Sequence, residues 1–165
     1  MTMLASLAGL LEPWATVYGN APALQVATAF AHFGGFLLGG GFAIVADAAT
    51  LRVARRRYAW RRRQLARIHG AHRIVLAGLA LTVLSGLLMA AADLETLAAS
   101  PQFWVKMAIV ALLLVNGGVM AATESALRAR ETDQEQGWRR LARVAALSLA
   151  LWFAAVLAGT TLVTV

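Results

Sequence analysis

The chain has 165 residues, 60% of them hydrophobic and only 14% charged, with a mean hydropathy of +0.68. A soluble domain carries about 25% charged residues, so a water-soluble globular enzyme is disfavoured; with no cysteine, disulfides, thiolate metal sites and thiol nucleophiles are excluded. The net charge of +7 does not mark a nucleic-acid binder, because the arginines flank apolar segments, where they act as topology signals and lipid contacts.

In chain order, residues 1–11 are apolar but lack a basic n-region and a small-residue cleavage site before Pro13. They read as part of the mature protein, a short helix in the outer interface with Trp14 and Tyr18 at headgroup level. A bilayer core takes roughly 20 apolar helical residues. Four segments meet that length, at about 24–46, 74–92, 103–122 and 144–163. The loop 93–102 ends in Ser100-Pro101, which suits a helix start. No segment alternates with period two, so a barrel is not supported.

Charge placement orients the spans. Of the fifteen basic residues, nine lie between Arg52 and Arg73 and five between Arg128 and Arg143, leaving only Lys106. The positive-inside rule makes the loops 47–73 and 123–143 cytoplasmic and, with four spans, puts both termini outside. The expected architecture is a single all-α domain over residues 1–165, an integral membrane four-helix bundle. A bacterial inner (plasma) membrane is the expected location.

The stretch from Leu51 to His69 contains no Gly or Pro, so both flanking helices are expected to extend into it. Its arginines, from Arg52 to Arg67, read as a stop-transfer signal that also binds anionic lipid headgroups, with Tyr58 and Trp60 reaching the interface. Asp47, at the end of the first span, is expected to pair with Arg52 or Arg73. The second basic loop mixes both signs and reads as a solvated helical hairpin with Trp138 at its surface.

Ionisable and polar residues inside a span are costly and therefore mark candidate sites. His32 lies well inside the first span, on a stripe with Gln25, Thr28, Gly35, Gly39, Ala43 and Ala46. Tight helix packing through Gly35-x-x-x-Gly39, with Thr28 hydrogen-bonded to the imidazole, accounts for this pattern. So does a flat macrocycle fitted over the small residues with His32 as its iron ligand, since imidazole is a common haem ligand. Lys106 enters the third span in the same membrane half. There it snorkels to the interface, holds a porphyrin propionate, or takes part in proton transfer. His69 and His72 share a helix face at the cytoplasmic mouth of the second span. They form an ordinary interfacial pair, bind one metal ion together, or supply a ligand to a second haem. They stand roughly 15–20 Å in depth from His32, too far to share an iron with it. Asn116 is a further polar residue within the third span.

No phosphate-binding loop, HExxH or GxSxG motif is present. The loops are too short to carry a soluble catalytic domain, so any chemistry takes place within the bundle or at its mouths.

The order His32, Gly34-Gly35, Gly39-Gly40-Gly41, then Asp47 and Leu51-Arg52, with His72-Arg73, Leu81-Thr82, Gly86-Leu87 and Phe103-Trp104-Val105-Lys106, resembles the HemJ-type protoporphyrinogen oxidases and the CopD-like copper-resistance membrane domains. The resemblance covers about 80 residues of three spans. It implies a b-type haem with His32 as ligand and Lys106 as the essential, catalytic lysine. The chain departs from the pattern at Asn116-Gly117, where that group offers a histidine, and in its N-terminal extension.

Three functions are therefore carried forward. The first is a haem b membrane protein, acting as a porphyrin oxidoreductase or electron-transfer module. The second is a cofactor-free scaffold packing against its own copy, as a homodimer, or against a larger membrane complex. The third is a small transport or copper-handling protein; its methionines, with Met89, Met107 and Met120 in spans, form no MxxM cluster.

Overall fold

In a computed structural model, which describes residues 3–54, 56, 58–129 and 135–163, the chain is all-helical. Its elements are α1 (Met3–Gly19), α2 (Pro22–Val53), α3 (Tyr58–Ala92), α4 (Leu94–Ala99), α5 (Pro101–Arg128) and α6 (Glu135–Val163). Helices α2, α3, α5 and α6 are each long and apolar enough to cross a membrane, and the chain is a membrane protein on that ground. Their outward faces carry Phe30, Leu37, Val45, Leu84, Val115 and Phe153, as lipid-facing surfaces do.

The four long helices contain the four expected apolar segments, and each runs past its segment toward the arginine-rich end. Both α2 and α3 extend into the basic stretch, consistent with its lack of helix breakers; the backbone turns at Ala54. Pro101 occupies the first turn of α5, where its missing N–H has no helical partner to lose. The loop before it holds one element not anticipated, the short α4. Trp104 Nε1 donates to the Ala98 carbonyl at 2.9 Å and ties α4 to α5.

Helices α2 and α3 make the closest pair because glycine removes the side chains between them. A β-carbon on Gly35 would stand 2.8 Å from the Gly78 carbonyl oxygen and from Thr82 Oγ1. One on Gly39 would stand 3.2 Å from the Val75 carbonyl oxygen. On the next face, Gly40 accommodates the Trp152 ring, which also meets Phe36 edge-on at 5.2 Å between centroids. Helix α6 thus closes on α2 and α5, and Asn116 Nδ2 donates to the Val144 carbonyl at 3.2 Å across the α5–α6 seam.

Two apolar clusters fill the bundle. One, midway along it, joins Ala43, Leu113, Trp152 and Ala155. The other lies at the arginine-rich end and joins Leu65, Met120, Leu127, Trp138, Leu141 and Ala145. Trp138 was expected at the surface but is only 3% exposed. The helices continue far enough beyond the apolar segments to form a core of their own, and the indole is its largest piece. The Arg61 guanidinium lies 5.5 Å from the Trp138 ring centroid and is itself buried, donating to the Ala54 carbonyl and to Glu135 Oε2 at 3.0 Å.

Candidate functional site

Polar side chains inside the apolar bundle gather at two levels. The upper one, nearer the ends free of arginine, is built on His32. Its Nδ1–H donates to the Thr82 carbonyl oxygen at 2.9 Å, and Ser85 Oγ lies 3.4 Å from the same nitrogen. The Thr82 hydroxyl is within 2.9 Å of the Gly78 carbonyl and 3.3 Å of the His32 carbonyl, which pins the two helices in register. Gly86 gives the ring its space, since a β-carbon there would meet His32 Cε1 at 3.0 Å. With Nδ1 protonated and committed to a carbonyl, the neutral ring keeps its lone pair on Nε2.

Thr28 does not bond the imidazole. Its hydroxyl donates back to the Leu24 carbonyl at 2.9 Å and meets the Tyr18 hydroxyl at 2.8 Å. Tyr18 is brought there by α1, which also places Trp14 Nε1 2.9 Å from the Leu88 carbonyl. Both rings therefore hydrogen-bond to spanning helices.

Lys106 extends from α5 toward this level, close enough for its charge to act on the His32 ring. Gly35 and Gly39 sit against the α3 backbone, so a helix occupies the space over these two residues.

The second polar level sits at the arginine-rich end of the apolar segments. Asp47 is 3% exposed and was expected to pair with Arg52 or Arg73; instead it faces the Ser148 hydroxyl of α6. The reason is helical phase: Asp47 continues the Gly39–Ala43 stripe, which turns inward. Glu124 of α5, which the sequence did not single out, is 5% exposed and lies within electrostatic reach of Asp47. His72 Nδ1 is 3.6 Å from Glu124 Oε1, and Arg128 Nη2 is 3.8 Å from Glu124 Oε2. The expected pairing of His72 with His69 concerns a side chain outside the described residues. About 15 Å of α3 separates His72 from Thr82, so the two levels are distinct. Among the described residues no group of three or more His, Asp or Glu is placed to hold a metal ion.

At the arginine-rich end, Arg52, Arg63 and Arg67 line a groove of about 240 Å³ with Trp60, Ala49, Val53 and Gln64. The Tyr58 side chain lies outside the described residues.

Comparison with protein-family models, with curated proteins and with solved structures finds no match.

Proposed function

We propose that this chain is a b-type haem-binding protein of a bacterial inner membrane, with His32 Nε2 as an axial ligand. The observation that carries the reading is the Nδ1–H bond to the Thr82 carbonyl. Histidines that ligate metals characteristically donate their other ring N–H to a carbonyl or carboxylate, which fixes ring and tautomer. The donor chemistry therefore fits haem, which when bound supplies one-electron redox chemistry.

In this reading the chain's own residues divide the work. Thr82 and Gly86 hold and make room for the imidazole. Gly35 and Gly39 act indirectly, by letting α3 come close enough to present that carbonyl. Lys106, in the same membrane half, offers an ammonium for a propionate, and in the porphyrin-oxidoreductase form of the reading it is the catalytic lysine. The resemblance to HemJ-type proteins supports the same two residues. The basic loops lie in the cytoplasm and both termini outside, with α1 at the outer face. The groove of Arg52, Arg63 and Arg67 then faces the cytoplasmic leaflet, where anionic headgroups are attracted to clustered arginine.

The test is an absorption spectrum of detergent-purified protein, expressed with haem supplied, before and after dithionite. A Soret peak with reduced α and β bands that His32→Ala abolishes is the expected result. A featureless spectrum would sink the reading and favour a scaffold subunit or homodimer; stoichiometric copper on metal analysis would favour copper handling.

A further inference from the structure

The groove at the arginine-rich end is built from one face of each of two helices. Ala49 and Arg52 come from α2, and Trp60, Arg63, Gln64 and Arg67 follow at helical spacing on α3. Gln64 closes the floor, because its side chain is buried and Nε2 donates to Thr50 Oγ1 at 3.3 Å. Arg63 stands over the Trp60 ring, its guanidinium carbon 5.7 Å from the centroid. Three guanidiniums therefore border a space of about 240 Å³, and among the described residues no carboxylate lines it. The acidic side chains described at this end have other partners. Asp47 faces Ser148, Glu124 lies beside Arg128 and His72, and Glu135 lies beside Arg61 and Arg139. Among the described residues, Arg52, Arg63 and Arg67 pair with no carboxylate. Like charges brought to one groove repel, and an anion placed between them relieves the repulsion.

We infer that this groove binds the phosphate headgroup of an anionic lipid and favours a headgroup with two negative charges over one. The inference rests on the proposed attraction of anionic headgroups to this groove and names their class. Charge is the first argument. A singly charged phosphodiester leaves two of the three guanidiniums unbalanced, whereas a terminal phosphate brings about two charges and three acceptor oxygens. Size is the second. Sites that enclose a whole drug-sized molecule have roughly 300–1,000 Å³; about 240 Å³ suits a compact headgroup whose chains stay in the bilayer. Depth is the third, and it separates a lipid from a free phosphate of the same chemistry. Ala49 and Arg52 lie about 4.5 Å and about 9 Å along the helix beyond Ala46, the end of the apolar segment. The headgroup layer occupies about 5–8 Å on each side of the hydrocarbon, so the groove opens at phosphate level. Trp60, exposed beside the arginines, offers the glycerol an apolar wall.

The experiment is electron paramagnetic resonance of the full chain in phosphatidylcholine vesicles at about pH 8, where a phosphomonoester carries close to two charges. The probes are spin-labelled phosphatidate, phosphatidylglycerol and phosphatidylcholine, present in both leaflets so that orientation does not affect the readout. Phosphatidate should associate with the protein about fivefold more strongly than phosphatidylglycerol, the worth of one further charge met by arginine. Arg52→Gln on one wall, or Arg63→Gln with Arg67→Gln on the other, should abolish that preference. Arg140→Gln with Arg143→Gln removes two exposed charges of α6 at the same end but outside the groove, and should preserve it. The inference is overturned if the two anionic lipids associate equally, or if the α6 pair lowers the preference as much as the groove pair. It is overturned equally if excess pyrophosphate displaces labelled phosphatidate as fully as unlabelled phosphatidate does, which would make the occupant a water-soluble phosphate. Equal association of the two anionic lipids, both above phosphatidylcholine, would leave the general headgroup attraction standing. If neither exceeds phosphatidylcholine, that attraction fails as well. No outcome depends on whether a Soret band is present.

Discussion

Gly78 of α3 lies so close to Gly39 of α2 that a β-carbon on Gly78 would stand 2.5 Å from the Gly39 amide nitrogen and 2.6 Å from the Gly35 carbonyl oxygen. Backbone atoms cannot give way as a flexible side chain can, so this contact sets the spacing of the helix pair that carries His32 and Thr82.

Gly78→Ala should therefore force the helices apart and destabilise the protein by about 1–3 kcal/mol, the usual cost of overpacking. Gly117→Ala is the matched comparison, because nothing lies within 4 Å of a β-carbon there. It should be neutral or stabilising by about 0.5–1 kcal/mol, as glycine is an unfavourable helix residue. Thermal unfolding in one detergent compares the two, and equal losses would contradict the packing account.

Gly86→Val addresses the imidazole itself. The added side chain enters from a β-carbon 3.0 Å from His32 Cε1 and turns the ring away from the Thr82 carbonyl. Haem retention, read as the ratio of Soret to protein absorbance, should fall severalfold. An unchanged ratio would mean that the ring's orientation does not matter for binding.

Trp138→Ala removes the largest side chain of the cluster at the arginine-rich end, where the indole is almost fully enclosed. A loss of about 3–5 kcal/mol is expected. Trp138→Phe should recover most of it, because much of the stabilisation is buried apolar area. In chemical denaturation, a transition midpoint that does not move in Trp138→Ala would place the indole at the surface after all.

The absence of native cysteine makes the orientation directly testable. Glu95 in α4 and Arg140 in α6 are both exposed, at opposite ends of the bundle. In intact cells Glu95→Cys should react with an impermeant maleimide, and Arg140→Cys should react only after lysis. The reverse pattern would invert the topology.

Much of this was legible in the sequence because apolar length and arginine placement are one-dimensional signals. Residues 24–46 and 74–92 had to be helices, and Pro101 had to begin one. That His32 and Lys106 lie near the same end of their helices was also readable, since both helices start from the end free of arginine clusters. The rest needed rotation about the helix axes. Asp47 looks like a residue that should reach for a neighbouring arginine, yet the stripe it belongs to faces inward. Its partner Ser148 stands on α6, far along the chain, with no local sign that the two meet. The inward stripe itself, traced one helical turn beyond Ala43, was the signal that could have found Asp47. Trp138 was misplaced for a related reason: a charged neighbourhood suggests solvent, but Arg61 covers the ring with its own guanidinium.

Helix α3 alone has 35 residues, which at 1.5 Å each reaches about 52 Å, some 20 Å more than a hydrocarbon core. One polypeptide is thereby folded in two solvents. In the lipid stretch, apolar side chains gain little by leaving hydrocarbon for one another, and close glycine contacts and hydrogen bonds hold the helices. In the projecting knob, Leu65, Leu127, Trp138 and Leu141 are gathered by expulsion of water. Urea should loosen the knob while the lipid stretch stands, and a harsh detergent should do the opposite.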